Sequence, residues 1–290
     1  MNFVDARPFW SSALLERDDI VSWRRRYLEN IRHYRQQGRP IYYLDETWVD
    51  TREMIDQAAV DAFLNGLATG QEEPSWKSKR LIVLHIGSSD GFVAGGLLCS
   101  ELERNSAGNY HEMNGDTFYE WFVRILPLLK ENAIIVMDNA SYHSIKKERF
   151  PGKSWKKKDI TNWLGSKGEI VGRSIVKAQL LERVDLLKPR YDDDAYYVID
   201  ELAKANDKLV LRLPPYHYKL NPIDLAWSPV KHYIRMHNTT FKVEDVRRLL
   251  VKGVKRVTAE MWADFVERVI KQEDMFRNID FVADEKPNQT

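Results

Sequence analysis

The stretch LRLPPYHYKLNPIDLAW, residues 211–227, holds the end of an apolar strand, a proline-rich turn and an acid at the start of a helix. KLVLRL (208–213) predicts the strand, the paired prolines break the chain, and the helix begins at about Ile223. Asp224 therefore falls in the first turn of that helix. A carboxylate is presented there beside the end of a sheet strand.

Two further acids occupy comparable places earlier in the chain. Asp45 lies in the middle of the β-rich segment IYYLDETWV (41–49), and Asp138 follows the apolar run AIIVM. An acid inside an apolar strand is costly unless it is paired or binds a metal. Acids at the carboxyl ends of strands lie where open α/β sheets bind ligands. If the first and fourth strands are neighbours and the last helix crosses them, Asp45, Asp138 and Asp224 converge.

Each acid also has a simpler interpretation. Asp45 could cap a turn or pair with an arginine, and Asp138 could be a turn residue because Asp-Asn is a common turn pair. Asp224 could merely stabilise a helix N-terminus through the helix dipole. Composition and spacing alone therefore leave the three acids as separate residues.

The order of elements predicts an α/β fold with a mixed five-stranded sheet flanked by helices. LIVLHIG (81–87) and FVAGGLLC (92–99) predict two strands joined by the tight turn SSDG. A helix beginning near Asn114 precedes the strand that ends at Asp138, and helical patterns then separate that strand from 208–213. A hairpin followed by β-α-β elements is typical of mixed sheets.

Three carboxylates without a histidine or cysteine cluster favour Mg²⁺ or Mn²⁺ over zinc. Two such ions about 3.5–4 Å apart would stabilise the attacking and leaving oxygens of an in-line phosphodiester displacement. Glu46 neighbours the first acid, but the two-residue period of a strand turns its side chain to the opposite face. Glu46 is therefore not assigned to the metal.

Composition limits the class of protein. The 290 residues are 43% hydrophobic and 30% charged, with a formal net charge of +1, which excludes a globally basic protein. The single cysteine, Cys99, rules out an intramolecular disulfide and suits a reducing compartment. No apolar run approaches the roughly 20 residues that span a bilayer. We expect a soluble intracellular protein, with neither a membrane nor a small-molecule cofactor as a partner.

The motif strings resemble a known family. YYLDETW (42–48), IVMDNASYHS (135–144) and the block at 211–227 resemble the three catalytic blocks of mariner-like transposases, members of the DDE/DDD superfamily of endonucleases. LHIGSSDGFVAGGLL (84–98) and DTFYEWFVRILPLL (116–129) match the segment between the first two blocks. The likeness extends from about residue 20 to about residue 270.

The resemblance implies an RNase H-like fold, two-metal DNA cleavage and strand transfer with Mg²⁺ or Mn²⁺, and a nuclear location in a eukaryote. Asp45, Asp138 and Asp224 become the first, second and third acids, both catalytic and metal-binding. Asn139 and His143 stand in the second block, where a histidine orients a water or phosphate or simply bonds within a loop. DNA is the expected partner, and a homodimer is a candidate assembly.

The chain departs from the family pattern in three ways. The stretch between the second and third acids is longer than usual, which predicts a helical insertion over about 147–193 in a catalytic domain of 41–240. Residues 1–40 form a helical segment too short for the usual paired helix-turn-helix modules, so we expect a fragment or a derivative without them, with C-terminal helices over 241–290. Pro229 should bend the helix that carries the third acid.

Two basic stretches are candidate DNA contacts. Residues 24–39 hold six arginines against one acid, and Arg24, Arg25 and Arg26 open that helix face. The insertion begins with a lysine-rich run whose last part is Lys156–Lys158, and its two predicted helices are similar to the DNA-binding units called SAP modules. The alternatives are a solvated helix face at 24–39, and an insertion that only packs on the core or contacts protein.

Two other functions compete with transposition. A domesticated transposase could bind DNA or protein without cutting, as the missing upstream modules would suggest. A structure-selective nuclease or RNase H-type enzyme would share the fold, although the block at 211–227 argues against it.

Overall fold

The computed structural model describes residues 15–51, 79–102, 113–145, 150–172, 175–192 and 197–282. The helix predicted around 54–64, the basic residues at 146–149 and the predicted helix cap at Ser174 lie outside these ranges. Within them, no helix combines the length and the apolar character needed to cross a membrane.

The described strands and helices follow one another in the order predicted. The strands are β1 (Ile41–Asp50), β2 (Arg80–Ser88), β3 (Gly91–Phe92), β4 (Leu98–Leu102), β5 (Ile134–Met137) and β6 (Leu209–Arg212). The helices are α1 (Asp18–Gln36), α2 (Gly115–Ile125), α3 (Lys157–Ser166), α4 (Lys177–Asp192), α5 (Val198–Lys204), α6 (Ile223–His237), α7 (Val243–Arg256) and α8 (Ala259–Val282). Short 3₁₀ turns lie at Leu126–Leu128 and Tyr218–Leu220.

The sheet is mixed and has six strands, in the order β3-β2-β1-β5-β6 with β4 also paired to β2. The prediction of five strands is wrong in one respect, because the third strand is interrupted. The chain turns at Gly95, whose φ of +81° is accessible to glycine without strain, and β3 and β4 pair separately with β2. Together they occupy the place of the single strand expected over 92–99.

The pairing of β1 with β5 puts two of the acids side by side. The two strands are parallel, with Tyr43 opposite Val136 as the last pair of the register. Asp45 lies two residues after Tyr43 on β1, and Asp138 lies two residues after Val136, directly after the last residue of β5. The expectation that the first and fourth strands are neighbours is therefore confirmed.

Helices cover both faces of the sheet. On one face, side chains of α1, α6, α7 and α8 pack against alternate residues of the strands, including Tyr43 and Val136. On the other face, α2 and α5 pack against the intervening residues, including Leu44 and Ile135. Each Å² of apolar surface buried on either face stabilises the fold by roughly 25 cal/mol. The register of the strands is therefore fixed, because a shift of one residue would move every side chain to the opposite face.

Helix α1 is joined to α8 by two buried ion pairs. Arg24 has no exposed surface and bonds both carboxylate oxygens of Asp280, while Arg35 pairs with Glu273. The Arg25 guanidinium donates to the main-chain oxygen of Asp280. Arg24 is thus unavailable to DNA, and its prediction as a DNA contact is wrong. Sequence spacing could not reveal a partner so far along the chain.

Pro229 lies inside α6, which nonetheless continues from Ile223 to His237. Proline removes the hydrogen bond that residue 229 would donate to the carbonyl of Leu225. Leu225 is exposed, so water can bond that carbonyl instead. The placement of Asp224 in the first turn is therefore unaffected by the proline.

The segment between Asp138 and β6 contains a small helical unit, as the long spacing predicted. Helices α3 and α4 pack on each other around a cluster of their own, separate from the two clusters on the sheet. Its buried members are Ile160, Trp163, Leu164, Leu180, Val184 and Leu187. The domain boundaries drawn around this unit remain predictions.

Candidate active site

Asp45 is held on β1, in the interior of the sheet. The strand pairs with β2 on one side and β5 on the other, so the backbone at Asp45 is fixed by its neighbours. Burial raises the pKa of Asp45 well above its usual value, and the charges of Glu46, Asp224 and Asp138 raise it further. The carboxylate therefore lies in a negative, poorly solvated environment.

Asp138 follows the last residue of β5 and is half exposed, with 52% of its side chain accessible. Its Oδ1 accepts hydrogen bonds from the main-chain N of Ala140 (2.9 Å) and from Nδ1 of His143 (2.8 Å). Burial acts to raise the pKa of Asp138, but the bond from His143 and its charge outweigh this, so the pKa lies below its usual value. Asp138 is ionised and open to solvent.

Asp224 stands in the first turn of α6, as predicted, and is partly buried. The loop before it is tied to β1, because the amide of Asn221 donates to the main-chain oxygen of Leu44 at 3.1 Å. This bond ends one residue before Asp45 and brings the third acid beside the first. The charges of Asp224 and Asp138 both act on Asp45, so the three predicted acids lie within electrostatic range of one another.

These carboxylates suit a hard divalent cation by their chemistry. Oxygen donors without thiolates are what Mg²⁺ and Mn²⁺ prefer. The raised pKa of Asp45 shows repulsion that a cation would relieve. Among the residues that the structure describes, no three His, Cys, Asp or Glu side chains are close enough to enclose an ion as they stand. The acids therefore share one electrostatic environment and would have to draw closer to share one ion.

The structure gives Glu46 a role and specifies the contacts of His143, for which the sequence had left two interpretations open. Glu46 points to the opposite face from Asp45, as predicted, and there its Oε1 lies 2.9 Å from Nε2 of His143. Burial acts to lower the pKa of His143, but Glu46 and Asp138 raise it to about 9. The ring is thus a cation between two carboxylates. A histidine five residues after an acid was the only signal in the sequence.

The predicted DNA contacts are placed differently from one another. Arg24 is buried, and Arg25 is partly buried with its guanidinium 5.5 Å from the ring centre of Phe281. Arg26 is exposed and lines a cleft of about 310 Å³ between α1 and β6. Lys156, Lys157 and Lys158 are all exposed at the start of α3. They remain predicted contacts, as does Arg26.

The three acids lie within β1, directly after β5 and in the first turn of α6. Residues 40–247 match the family model described as DDE superfamily endonuclease. The chain belongs to that family.

Solved structures agree on the fold. The Mos1 transposase paired-end complex with left transposon end is 12% identical, with a TM-score of 0.53, over 97% of this chain and 65% of that chain. The Mos1 transposase catalytic domain with raltegravir and Mg is 11% identical, with a TM-score of 0.51, over 91% of this chain and 96% of that one. The Mos1 mariner paired end complex with Mn is 13% identical, with a TM-score of 0.52, over 91% of this chain and 63% of that chain.

The solved structures confirm the predicted RNase H-like fold, and the family match confirms the resemblance to the DDE superfamily of endonucleases. The chain spans 65% of the length of the transposase in the paired-end complex, and most of the length of the catalytic domain alone.

Proposed function

We propose that this chain is the catalytic domain of a DNA transposase, which cuts DNA phosphodiester bonds and joins the freed 3′-hydroxyl to target DNA. The observation that carries the proposal is the environment of Asp45. Its side chain is partly buried on a central strand, where desolvation raises its pKa and the charges of Glu46, Asp224 and Asp138 raise it further. Such an arrangement is costly for stability, and a divalent cation offsets it.

Asp45, Asp138 and Asp224 are the residues that would hold Mg²⁺ or Mn²⁺. When bound, a pair of such ions activates the attacking oxygen and stabilises the leaving oxygen of a phosphodiester displacement. Asp45 provides a fixed anchor inside the sheet. Asp138 is the most accessible of the residues described at this site, and its open side is where the phosphodiester approaches. Asn221 keeps the third acid against the first through its bond to Leu44.

The solved relatives support DNA and a divalent metal as partners. These relatives are Mos1 with a transposon end, with Mg and with Mn. By extension we propose a duplex DNA substrate and Mg²⁺ or Mn²⁺ for this chain. A paired-end complex brings two transposon ends together, so we also propose that the protein acts as a homodimer on DNA.

A cleavage assay tests the proposal. The protein is incubated with labelled duplex DNA and Mg²⁺ or Mn²⁺, and the Asp138→Asn and Asp224→Asn variants are compared with it. Loss of one metal ligand removes several kcal/mol of transition-state stabilisation, so cleavage should fall by about 10³-fold. Circular dichroism checks that each variant folds. Cleavage retained by folded Asp138→Asn would exclude this assignment of the acids, and DNA binding without cleavage by the natural chain would favour a domesticated binding protein.

The lysines at the start of α3 give a separate prediction about DNA affinity. Lys156, Lys157 and Lys158 lie at the positive end of the helix dipole, where cations are unfavourable unless an anion is bound. Replacing all three with alanine should weaken DNA binding and reduce the slope of log affinity against log salt by about 3. Fluorescence anisotropy at several salt concentrations measures both quantities.

The control replaces exposed lysines elsewhere, Lys252, Lys255 and Lys271 on the C-terminal helices, with alanine. These changes remove the same charge and should leave the slope close to that of the natural chain. An equal effect of both triple variants would mean that the lysines on α3 act only through net charge. Arg26→Ala tests the other exposed candidate in the same assay.

A further inference from the structure

A buried histidine links the second acid to the far face of the sheet. His143 has no exposed surface, and its two ring nitrogens lie 2.8 Å from Oδ1 of Asp138 and 2.9 Å from Oε1 of Glu46. The Glu46 side chain is 5% exposed, whereas that of Asp138 is 52% exposed. One end of this chain of hydrogen bonds is therefore enclosed, and the other end opens on the site.

The imidazole is fixed by its surroundings. Its ring centre lies 4.2 Å from that of Phe118 and 4.6 Å from that of Tyr142, so aromatic rings confine it. Its main-chain oxygen accepts from Nη2 of Arg212 at 2.9 Å, and Arg212 is in turn paired with Asp200. The ring can rotate little without breaking these contacts.

The hydrogen bonding also fixes the Asp138 carboxylate. A carboxylate only accepts hydrogen bonds, so an imidazole between two carboxylates donates from both nitrogens. Oδ1 of Asp138 accepts from the ring and from the main-chain N of Ala140, on the turn that leads to His143. Two donors on one oxygen of a short side chain restrict the plane in which the carboxylate lies.

Neither Glu46 nor His143 is placed to bind an ion itself. Glu46 is on the face of β1 opposite to Asp45, and His143 is fully buried with both nitrogens already bonded. A simple loop contact would need only one of these bonds. The second bond, to a buried carboxylate on a different strand, anchors the ring to the same strand that carries Asp45.

We propose that Glu46 and His143 are positioning residues, in which Glu46 holds the imidazole and the imidazole holds the Asp138 carboxylate in its orientation for metal binding. This inference rests on the proposed function, because it assumes that Asp138 is a metal ligand. Strand β1 then contributes two residues to the site. Asp45 supplies a metal ligand on one face of the strand, and Glu46, on the other face, orients Asp138 through His143. Groups that orient metal ligands in this way set metal affinity.

The test compares Mn²⁺ affinity, measured by calorimetry without DNA, in the natural chain and in the Glu46→Gln and His143→Gln variants. Each single change should weaken Mn²⁺ binding by about 10–100-fold and raise the Mg²⁺ concentration for half-maximal cleavage by a similar factor. At saturating Mg²⁺ cleavage should largely recover. Glu46→Gln should have little further effect in the His143→Gln protein, because the two residues act through one bond chain.

The Ser144→Ala variant is the matched control. Ser144 lies in the same turn and accepts from Arg212 at 3.0 Å, so its loss disturbs the loop without touching either carboxylate. Its Mn²⁺ affinity should equal that of the natural chain. Glu46→Gln keeps the size of the side chain but removes its charge and replaces one acceptor oxygen with a donor amide, so it keeps the test open if His143→Gln does not fold.

The outcomes separate the two proposals. Folded Glu46→Gln protein that binds Mn²⁺ as tightly as the natural chain overturns the positioning role and leaves the proposed function standing. A natural chain that binds Mn²⁺ but cleaves no DNA contradicts the proposed function alone, provided the variants still bind Mn²⁺ more weakly. A natural chain that binds no Mn²⁺ overturns both.

Discussion

The Asp45→Asn protein is expected to be more stable than the natural chain at neutral pH without metal, and to be inactive in cleavage. Desolvation raises the pKa of Asp45, and the charges of Glu46, Asp224 and Asp138 raise it further. Its ionised form therefore destabilises the fold, and an amide of the same shape does not. The variant should gain stability, because a raised folded-state pKa means that the ionised carboxylate costs free energy in the folded protein at neutral pH.

The stability difference between Asp45→Asn and the natural chain should depend on pH. The folded-state pKa of Asp45 is raised above the unfolded value. Its protonated form thus favours folding below the unfolded pKa, and that contribution is lost as the pH rises through the folded pKa. The stability advantage of Asp45→Asn should be absent in acid, where Asp45 is protonated, and should grow towards neutral pH.

Urea denaturation at several pH values, in a metal chelator, measures the free energy of unfolding of both proteins. Asp50→Asn, at the other end of β1, is the control and should bring no comparable gain. In the cleavage assay Asp45→Asn should lose about 10³-fold with Mg²⁺, since a metal ligand is removed. If Asp45→Asn is less stable than the natural chain at neutral pH, the acids do not repel one another as inferred.

Much of the fold follows from local sequence patterns. Short apolar runs predicted β1, β2, β5 and β6, and apolar stripes at helical spacing predicted the long helices. Both signals arise because one face of each element is buried, so apolar residues recur along the sequence with the period of the helix or strand. The three acids could be placed because each stands at the end of such a run, or within it.

The features that could not be predicted depend on residues far apart in the chain. Glu46 and His143 are 97 residues apart, and their bond depends on a turn after β5 that no periodic pattern describes. The break between β3 and β4 depends on two glycines that are equally compatible with a continuous strand. The arginines of α1 predicted a basic surface, because nothing near them in sequence reveals the acids on α8.

The second large effect is expected at the contact between those helices. The Asp280→Ala protein should lose about 3–5 kcal/mol of stability, because it leaves the fully buried guanidinium of Arg24 without its carboxylate. Nε of Arg24 donates to Oδ2 of Asp280 at 2.7 Å, and Nη1 lies 3.1 Å from Nε2 of His217. His217 belongs to the proline-rich turn before Asp224, so this ion pair also supports the loop of the third acid.

Urea denaturation again measures the loss. Asp264→Ala is the matched control, because Asp264 is on the same helix and pairs with Arg268 at the surface, where both side chains are at least half exposed. An exposed pair of this kind contributes about 0–1 kcal/mol. A loss in Asp280→Ala no larger than that in Asp264→Ala would mean that Arg24 finds other partners or water.

A double variant identifies the cause of the loss. Replacing Arg24 with methionine and Asp280 with leucine removes both charges and keeps the site filled, so much of the lost stability should return. If the double variant stays as unstable as Asp280→Ala, packing against Phe276, over which the Arg24 guanidinium lies at 5.0 Å, is the main contribution instead. In both cases Arg24 acts inside the protein, and of the first three arginines on α1 only Arg26 is exposed to meet DNA.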